Sequence, residues 1–233
     1  MTWTRGSAGR TVGAMLRPPD EAGTPTTFGG SVVRFHGAER MLHWGIAALF
    51  GICMLTAAAL YFDPFAALVG RRETVKTLHV YAGLAIPAVL VGMGIGRWGR
   101  PFRADAGRLN RWTKHDSRWL RRLGRDPFVP QGKFNAGQKL NASFTAGAIV
   151  LIVATGVVMR WFDPFPLWVR TGSTFVHDWT AFALLFTIAG HISYAFRDPD
   201  ALRSMVNGTI SREWAARHAS LWRLPSEDDN SRT

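Results

Sequence analysis

Apolar residues along this chain are gathered into four long stretches. The stretches contain no Asp, Glu, Lys or Arg and cover 41–62, 77–96, 140–159 and 179–196, which is 18 to 22 residues each. At 1.5 Å per residue, a helix of this length crosses the roughly 30 Å hydrocarbon core of a bilayer. A buried helix of a soluble protein would usually be shorter and apolar on one face only. The pattern therefore predicts an all-α membrane protein with four transmembrane helices in one bundle.

The polar segments between these stretches set the expected limits of the domain. Residues 34–222 form the predicted four-helix domain, in which a basic connection covers 97–135. Residues 1–33 are rich in Gly, Thr, Arg and Pro and have no signal-peptide core, so we expect a flexible cytoplasmic extension there. Residues 223–233 are expected to form a polar tail. The four helices are predicted at about 39–62, 75–96, 136–162 and 175–196.

Charge along the chain is basic and unevenly placed. The formal net charge is +12, and twelve Lys or Arg but only three acidic residues lie between Arg97 and Lys139. The connection 63–76 has three basic residues and the connection 163–177 has one. Cytoplasmic loops of membrane proteins are enriched in Lys and Arg, so the basic connection and, with four spans, both termini are predicted to be cytoplasmic. The charge favours contact with anionic lipid headgroups and not with nucleic acid.

Four histidines lie at the ends of the apolar stretches. In the predicted topology, His43 begins an outward-going helix and His191 is close to the end of an inward-going helix, so both lie near the inner face. His79 and His177 each begin an inward-going helix and lie near the outer face. A histidine at membrane depth is costly and usually has a partner there. The depths therefore predict two pairs, His79 with His177 outside and His43 with His191 inside.

The fourth predicted helix supplies one histidine to each pair. Fourteen positions separate His177 from His191, which gives a rise of about 21 Å and nearly four full turns. Both rings thus project from nearly the same face at two levels, as two haems stacked through a bundle require. Neutral imidazole suits haem iron, and bundle interiors commonly hold such sites. We therefore predict two bis-histidine haem b groups.

Other roles for these histidines stay open at this point. The histidines are alternatively core residues with hydrogen-bonded ring nitrogens, proton carriers in a haem-free anchor or transporter, or ligands of zinc. Zinc usually recruits Cys or carboxylate ligands as well, and only Glu39 and Asp178 are available nearby. The single cysteine, Cys53, allows no internal disulfide, no iron–sulfur cluster and no covalent haem attachment. Any haem would be held by non-covalent ligation.

Basic residues near the histidines are candidates for binding haem propionates. Arg40 lies at the inner level, and Arg72 and Lys76 lie at the outer level. Arginine matches the geometry of a carboxylate, whereas basic residues at membrane interfaces often only extend to lipid headgroups. The sequence leaves both interpretations open.

A polar motif precedes the third predicted helix. Asn135 followed by Gln138 three residues later is typical of a capping box at a helix start. The same amides suit hydrogen bonds to the carbonyls of a quinone whose ring stays in lipid, beside the inner haem. The two interpretations are compatible.

Several short motifs carry a family resemblance over about residues 34–222. The Asn-Ala-Gly-Gln-Lys motif and the Trp-Ala pair near the end are the most specific of them. On these motifs the chain resembles the gamma subunit of membrane-bound respiratory formate dehydrogenase, a dihaem cytochrome b. The motifs are Glu39 to Trp44, Thr77 to His79, Lys133 to Lys139, His177 with His191, Ser204 to Gly208, Ser211 to Ala215 and His218 to Trp222.

The resemblance implies a path for electrons in a bacterial cytoplasmic membrane. The outer haem, held by His79 and His177, would accept electrons from an iron–sulfur beta subunit. That subunit would be fed by a catalytic alpha subunit that holds molybdenum or tungsten and oxidises formate. The inner haem, held by His43 and His191, would pass the electrons to a quinone.

The resemblance also assigns the quinone site and leaves one close alternative. Asn135, Gly137 and Gln138 would line the quinone site, with protons drawn from the cytoplasm. This chain would then hold the site of quinone reduction but no site for formate. Because the histidine pattern is shared with hydrogenase-type cytochromes b, a cytochrome b of a nickel–iron hydrogenase or of another quinone-reducing oxidoreductase stays an alternative.

Overall fold

The computed structural model describes residues 30–62, 64–65, 67 and 70–224. Four of its helices are long and apolar enough to cross a membrane, which confirms the predicted all-α, four-helix architecture. The helices described from end to end are, in chain order, α1 (Gly37–Tyr61), α2 (Arg72–Ile95), α3 (Arg100–Leu109), α4 (Lys114–Arg121), α5 (Ala136–Arg160), α6 (Leu167–Arg197), α7 (Pro199–Asn207) and α8 (Arg212–His218).

The membrane-length helices α1, α2, α5 and α6 pack as two hairpins. Helix α1 lies against α2 and α5 lies against α6, while contacts between α2 and α5 join the two hairpins. An apolar cluster contains a buried residue from every one of these helices, and Leu184 of α6 is completely buried in it. Because lipid tails are as apolar as these side chains, close packing holds the cluster together. Its other buried members are Phe50, Ile86, Ala148 and Ile149.

Helix α6 is longer than the sequence predicts. It begins at Leu167, directly after Pro166 at its N-cap, whereas the prediction was about residue 175. Arg170 and the small polar residues after it made this stretch look like a loop. The hydroxyls of Thr171 and Thr174 instead donate to backbone carbonyls of the preceding turn, at 3.1 and 3.2 Å. The helix therefore continues past the apolar stretch at this end.

The basic connection between α2 and α5 contains α3 and α4, and it packs against the end of the bundle where α1 begins and α6 ends. We call this end the basic end. Helix α4 is anchored to α5 because Lys139 donates to both carboxylate oxygens of Asp116, at 2.8 and 2.9 Å. Trp119 packs between two glycines: a Cβ on Gly124 would lie 2.5 Å from its ring and one on Gly137 would lie 2.9 Å away. Gly137 thus gives α4 room to approach α5.

A small layer of secondary structure covers the basic end. Strand β1 (Ser31–Val33) pairs antiparallel with β2 (Thr209–Ser211), with Val32 opposite Ile210. The sequence predicted flexibility through residue 33, but the last three residues of that stretch are paired. The reason is burial, since Val32 and Ile210 pack with Trp214 in an apolar cluster of their own. Residues 1–29 and 225–233 of the predicted extension and tail lie outside the described residues.

The C-terminal motifs tie this layer to the start of α1. Buried Arg34 donates to Ser204 Oγ at 3.2 Å, and its guanidinium lies 4.4 Å from the ring centre of Trp214. Burial lowers the pKa of Arg34 to about 10. Trp44 Nε1, next to His43 in the chain, donates to the Met205 carbonyl at 3.0 Å. Residues that are far apart in sequence therefore form one layer beside the histidines of the basic end.

Candidate functional site

The structure brings His79 and His177 together at the end of the bundle opposite to the basic end. His79 lies in α2 and His177 in α6, and their ring centres are 6.3 Å apart. Both rings are half-buried between the helices. The planes of the two rings are inclined by 62°, and each hairpin supplies one of the rings.

The second pair lies at the basic end. The ring centres of His43 in α1 and His191 in α6 are 6.1 Å apart. Helix α6 thus supplies one member of each pair, and Leu184 lies midway between its two histidines. The apolar cluster around Leu184 lies between the two histidine pairs.

The spacing within each pair fits one metal ion held between two imidazoles. A metal-bound imidazole nitrogen lies about 2 Å from the ion and roughly 1.1 Å from its ring centre, so two rings on opposite sides have centres about 6.3 Å apart. In the part of the chain that the structure describes, no three His, Cys, Asp or Glu side chains are grouped to hold a metal ion. Structural zinc needs four ligands, whereas haem iron takes only axial ligands from the protein.

Space beside the rings also suits a flat macrocycle. Gly83 lies one turn after His79, and Gly190 is next to His191 in the chain. A Cβ built on either glycine would meet no atom within 4 Å. The donor set and the open space therefore fit haem at both levels.

Two threonines contact His79 and His177, and neither threonine was among the residues predicted to form the site. Thr56 Oγ1 in α1 lies 2.9 Å from His79 Nδ1, and Thr155 Oγ1 in α5 lies 3.1 Å from His177 Nδ1. Both threonines are buried. Each contact crosses a hairpin, so it depends on how the two helices are rotated against each other. Threonine is common in apolar helices, so the sequence alone did not single out these two.

A cavity of about 260 Å³ adjoins the histidine pair of the basic end. His43, Leu42 and Ile46 line it on one side, and the carboxylates of Glu39 and Asp105 line it on another. Both carboxylates belong to residues that are more than nine-tenths buried. The cavity therefore combines an apolar wall, a candidate ligand and acidic groups.

A buried lysine pairs with the acidic wall of this cavity. Lys133 Nζ donates to Asp105 at 2.5 Å and lies 3.7 Å from Glu39. Burial raises the pKa of Asp105, but the hydrogen bond with Glu39 and the charge of Lys133 outweigh it and leave the pKa below its usual value. Asp105 is therefore held as a carboxylate at neutral pH.

The residues expected to bind quinone have clear structural roles. Asn135 caps α5 by accepting from the Gln138 N–H at 2.9 Å, and Gln138 Oε1 accepts from the Asn135 N–H at 3.0 Å. Gly137 leaves room for the ring of Trp119. None of these three residues lines the cavity beside His43. The side-chain NH₂ groups of Asn135 and Gln138 are not used by the capping box.

The candidate propionate partners differ in their surroundings. Arg40 donates to the Val206 carbonyl, and its buried Nε has no hydrogen-bond partner among the described residues. Arg72 is exposed at the start of α2. Lys76 is exposed and lies 3.8 Å from Glu73 on its own helix. Arg40 is thus held in place beside the basic end, whereas Arg72 and Lys76 are exposed at the opposite end.

Known proteins resemble this chain over most of its length. A sequence model of the family described as prokaryotic cytochrome b561 matches residues 34–208. The formate dehydrogenase cytochrome b556 subunit of Haemophilus influenzae is 26% identical over 82% of this chain and 82% of its own length. The nitrate-inducible formate dehydrogenase cytochrome b556(Fdn) subunit of Escherichia coli K12 is 27% identical over 82% of this chain and 89% of its own. These relatives confirm the resemblance expected from the motifs.

Proposed function

The chain belongs to the prokaryotic cytochrome b561 family, and we propose that it is the membrane-bound dihaem cytochrome b subunit of a formate dehydrogenase. The observation that carries this proposal is the presence of two imidazole pairs, 6.3 and 6.1 Å between ring centres, at opposite ends of a membrane-length bundle. A bound haem b supplies a one-electron carrier at each level. His79 with His177 and His43 with His191 would hold these groups, and the protein would set their spacing and apolar surroundings.

Electrons enter at the His79–His177 end and leave at the His43–His191 end. This direction is supported by the charge asymmetry, because an excess of Lys and Arg favours a cytoplasmic location for the basic end. The relatives named as formate dehydrogenase subunits support formate as the source of the electrons. The proposed donors are an iron–sulfur beta subunit and a catalytic alpha subunit that holds molybdenum or tungsten.

Quinone accepts the electrons at the basic end. The cavity beside His43 gives an apolar ring a place next to the ligand, and Glu39 and Asp105 lie on its wall. Reduction of a quinone to a quinol consumes two electrons and two protons. Glu39 is the proposed carrier of protons from the cytoplasm, and Lys133 lies 3.7 Å from its carboxylate. Asn135, Gly137 and Gln138 stay proposed contacts for a quinone carbonyl at the adjoining membrane surface.

Purified protein tests the dihaem proposal directly. A reduced-minus-oxidised spectrum should show a b-type alpha band, and a pyridine haemochrome assay should give two haems per chain. A preparation that shows no b-type alpha band, with folding verified by circular dichroism, would overturn the proposal in favour of a haem-free anchor or transporter.

Co-purification distinguishes a formate dehydrogenase subunit from the cytochrome b of a nickel–iron hydrogenase. A tagged chain isolated from its native membrane in mild detergent should bring down a molybdenum or tungsten protein, and formate should reduce both haems. Recovery of a nickel–iron pair, with reduction by hydrogen, would assign the chain to a hydrogenase.

The quinone contact is tested by Gln138→Ala. We expect both haems to stay bound and inhibition by a quinone analogue to weaken about fivefold, because one hydrogen bond is worth about 1 kcal/mol. The control is Asn141→Ala, one turn inside α5 and beyond the capping box. Unchanged inhibition in Gln138→Ala would assign this residue to helix capping alone.

A further inference from the structure

The hydroxyl protons of Thr56 and Thr155 are used within their own helices. Thr56 Oγ1 donates to the Ile52 carbonyl at 2.7 Å, and Thr155 Oγ1 donates to the Leu151 carbonyl at 2.8 Å. A hydroxyl has one proton and two acceptor lone pairs. Each threonine therefore presents an acceptor to the nearby histidine.

The direction of these hydrogen bonds favours one tautomer of both rings. With the hydroxyl as acceptor, Nδ1 of His79 and of His177 carries the ring proton and donates it. Nε2 then keeps its lone pair, which is the form that binds a metal ion. The opposite tautomer would set the Nδ1 lone pair against the threonine lone pair, in a place where the threonines are 7% and 8% exposed and water cannot mediate.

The two hairpins repeat this arrangement. The threonine lies in the first helix of each hairpin, α1 or α5, and the histidine lies in the second, α2 or α6. Both threonines also make the same bond to the carbonyl four residues earlier. An incidental contact would not be expected to recur with the same donor, the same acceptor and the same level in both hairpins.

The histidines at the basic end lack such a contact. In the part of the chain described by the structure, His43 and His191 have no hydrogen-bond partner on either ring nitrogen. The two histidine pairs therefore differ in the hydrogen bonds made by their ring nitrogens, although the distance between ring centres is nearly the same.

We propose that Thr56 and Thr155 are positioning residues that fix the tautomer of His79 and His177 and lower the reduction potential at that level below the potential at the His43–His191 level. An acceptor on Nδ1–H makes the imidazole a stronger base at Nε2. A more basic axial ligand stabilises ferric iron over ferrous iron, and hydrogen bonding to the ligands is one of the ways in which proteins set a haem potential. This inference rests on the proposed haem ligation.

The consequence is a direction for electron transfer. Electrons move spontaneously from a lower to a higher potential. A lower potential at the His79–His177 level favours transfer towards the His43–His191 level. This difference in reduction potential would arise from Thr56, Thr155 and the two histidines that they contact, and it would not depend on the partner subunits.

Potentiometric titration of the haem alpha bands tests the proposal. The variants are Thr56→Val and Thr155→Val, made in the full-length chain and purified with its partners. We expect the lower-potential component to move upward by about 59 mV, which for one electron is a tenfold change in the reduction equilibrium. The higher-potential component should not move. The component that belongs to the His79–His177 level is the one missing in His79→Ala.

Matched variants make each outcome decisive. Thr56→Ser keeps the hydroxyl and should keep the wild-type potential. Thr171→Val removes a hydroxyl that bonds only to its own helix backbone and should change neither component. Selective loss of one haem in Thr56→Val, with both retained in Thr56→Ser, also supports positioning. Unchanged potentials in the Val variants, or equal effects of Ser and Val, would overturn the inference. Absence of haem from the wild type would instead overturn the proposed function.

Discussion

Imidazole is the residue-scale feature on which the proposed function depends. An intramembrane histidine without a partner is unfavourable, and each of the four histidines here faces a second imidazole. The gap between the rings in both pairs is close to what one bound metal ion needs. Substitution of one histidine should therefore affect the pair to which it belongs and leave the other pair intact.

Histidine substitutions should remove one haem at a time. In His79→Ala or His177→Ala we expect the haem content to fall from two to one and formate to leave the remaining haem oxidised, because electrons no longer enter. In His43→Ala or His191→Ala the content should also fall to one, while formate still reduces the remaining haem. The measurement is the alpha-band spectrum after addition of formate to the purified complex.

His115→Ala is the control for these variants, since His115 lies in α4 outside the four long helices, and it should keep both haems. If His79→Ala and His191→Ala removed the same spectral component, the pairing itself would be wrong.

The histidine pairs were predictable from the sequence, but their threonine partners were not. Positive charge between Arg97 and Lys139 gave each histidine a depth, and depth alone was enough to choose its partner. The contact between Thr56 and His79 depends in addition on the rotation of α1 against α2. Rotation is decided by packing, as in the cluster around Leu184. Apolar stretches without clear periodicity carry little information about it.

At the scale of elements, buried ion pairs hold the basic connection to the bundle. Asp116 is 2% exposed and Lys139 is 7% exposed, and they join α4 to α5. Asp116 also accepts from the Thr113 N–H at the start of α4. The sequence predicted a polar connection here, because the charges are numerous. The sequence could not show which carboxylates of this connection are buried, because partners such as Asp116 and Lys139 are far apart along the chain.

The contribution of Asp116 should depend on pH. Burial raises the pKa of Asp116, but hydrogen bonds from Lys139 and Thr113 outweigh burial and bring the pKa below its ordinary value of 3.8. A lowered pKa in the folded state means that the carboxylate stabilises the fold above the ordinary pKa. The stabilisation is lost as the pH falls through the folded-state pKa.

Thermal unfolding of wild type and Asp116→Asn in detergent checks this dependence. Near neutral pH the variant should be destabilised by about 3–5 kcal/mol, because Lys139 is left buried without its partner. The gap between the two unfolding midpoints should close as the pH falls below 3.8. Asp200→Asn breaks an exposed pair with Arg203 and should cost about 0–1 kcal/mol. A gap that stayed constant down to pH 2 would contradict the assignment.

At the scale of the whole molecule, the two ends of the bundle differ in charge and in what covers them. The basic end carries α3, α4 and the layer of β1, β2, α7 and α8. The opposite end carries the first turns of α6, with exposed Leu167 and Trp168. This polarity agrees with a cytoplasmic basic end and with a partner subunit at the opposite end.

Reporter fusions should locate the basic end. A fluorescent protein that matures only in the cytoplasm should fluoresce when it is fused after residue 224. The same reporter fused after residue 166, behind only three of the long helices, should stay dark. Fluorescence from the second fusion and none from the first would reverse the topology and, with it, the direction proposed for the electrons.

Helix α6 also sets the order in which the protein can be completed. A chain is synthesised from its N-terminus, and α6 is the last membrane-length helix to emerge. Because His177 and His191 both lie in it, neither proposed site exists while the first three long helices wait in the bilayer. Cofactor loading must therefore follow insertion of the whole bundle, and a chain interrupted before residue 167 should accumulate without any haem. Bound haem would then show that synthesis and insertion of this subunit have passed α6.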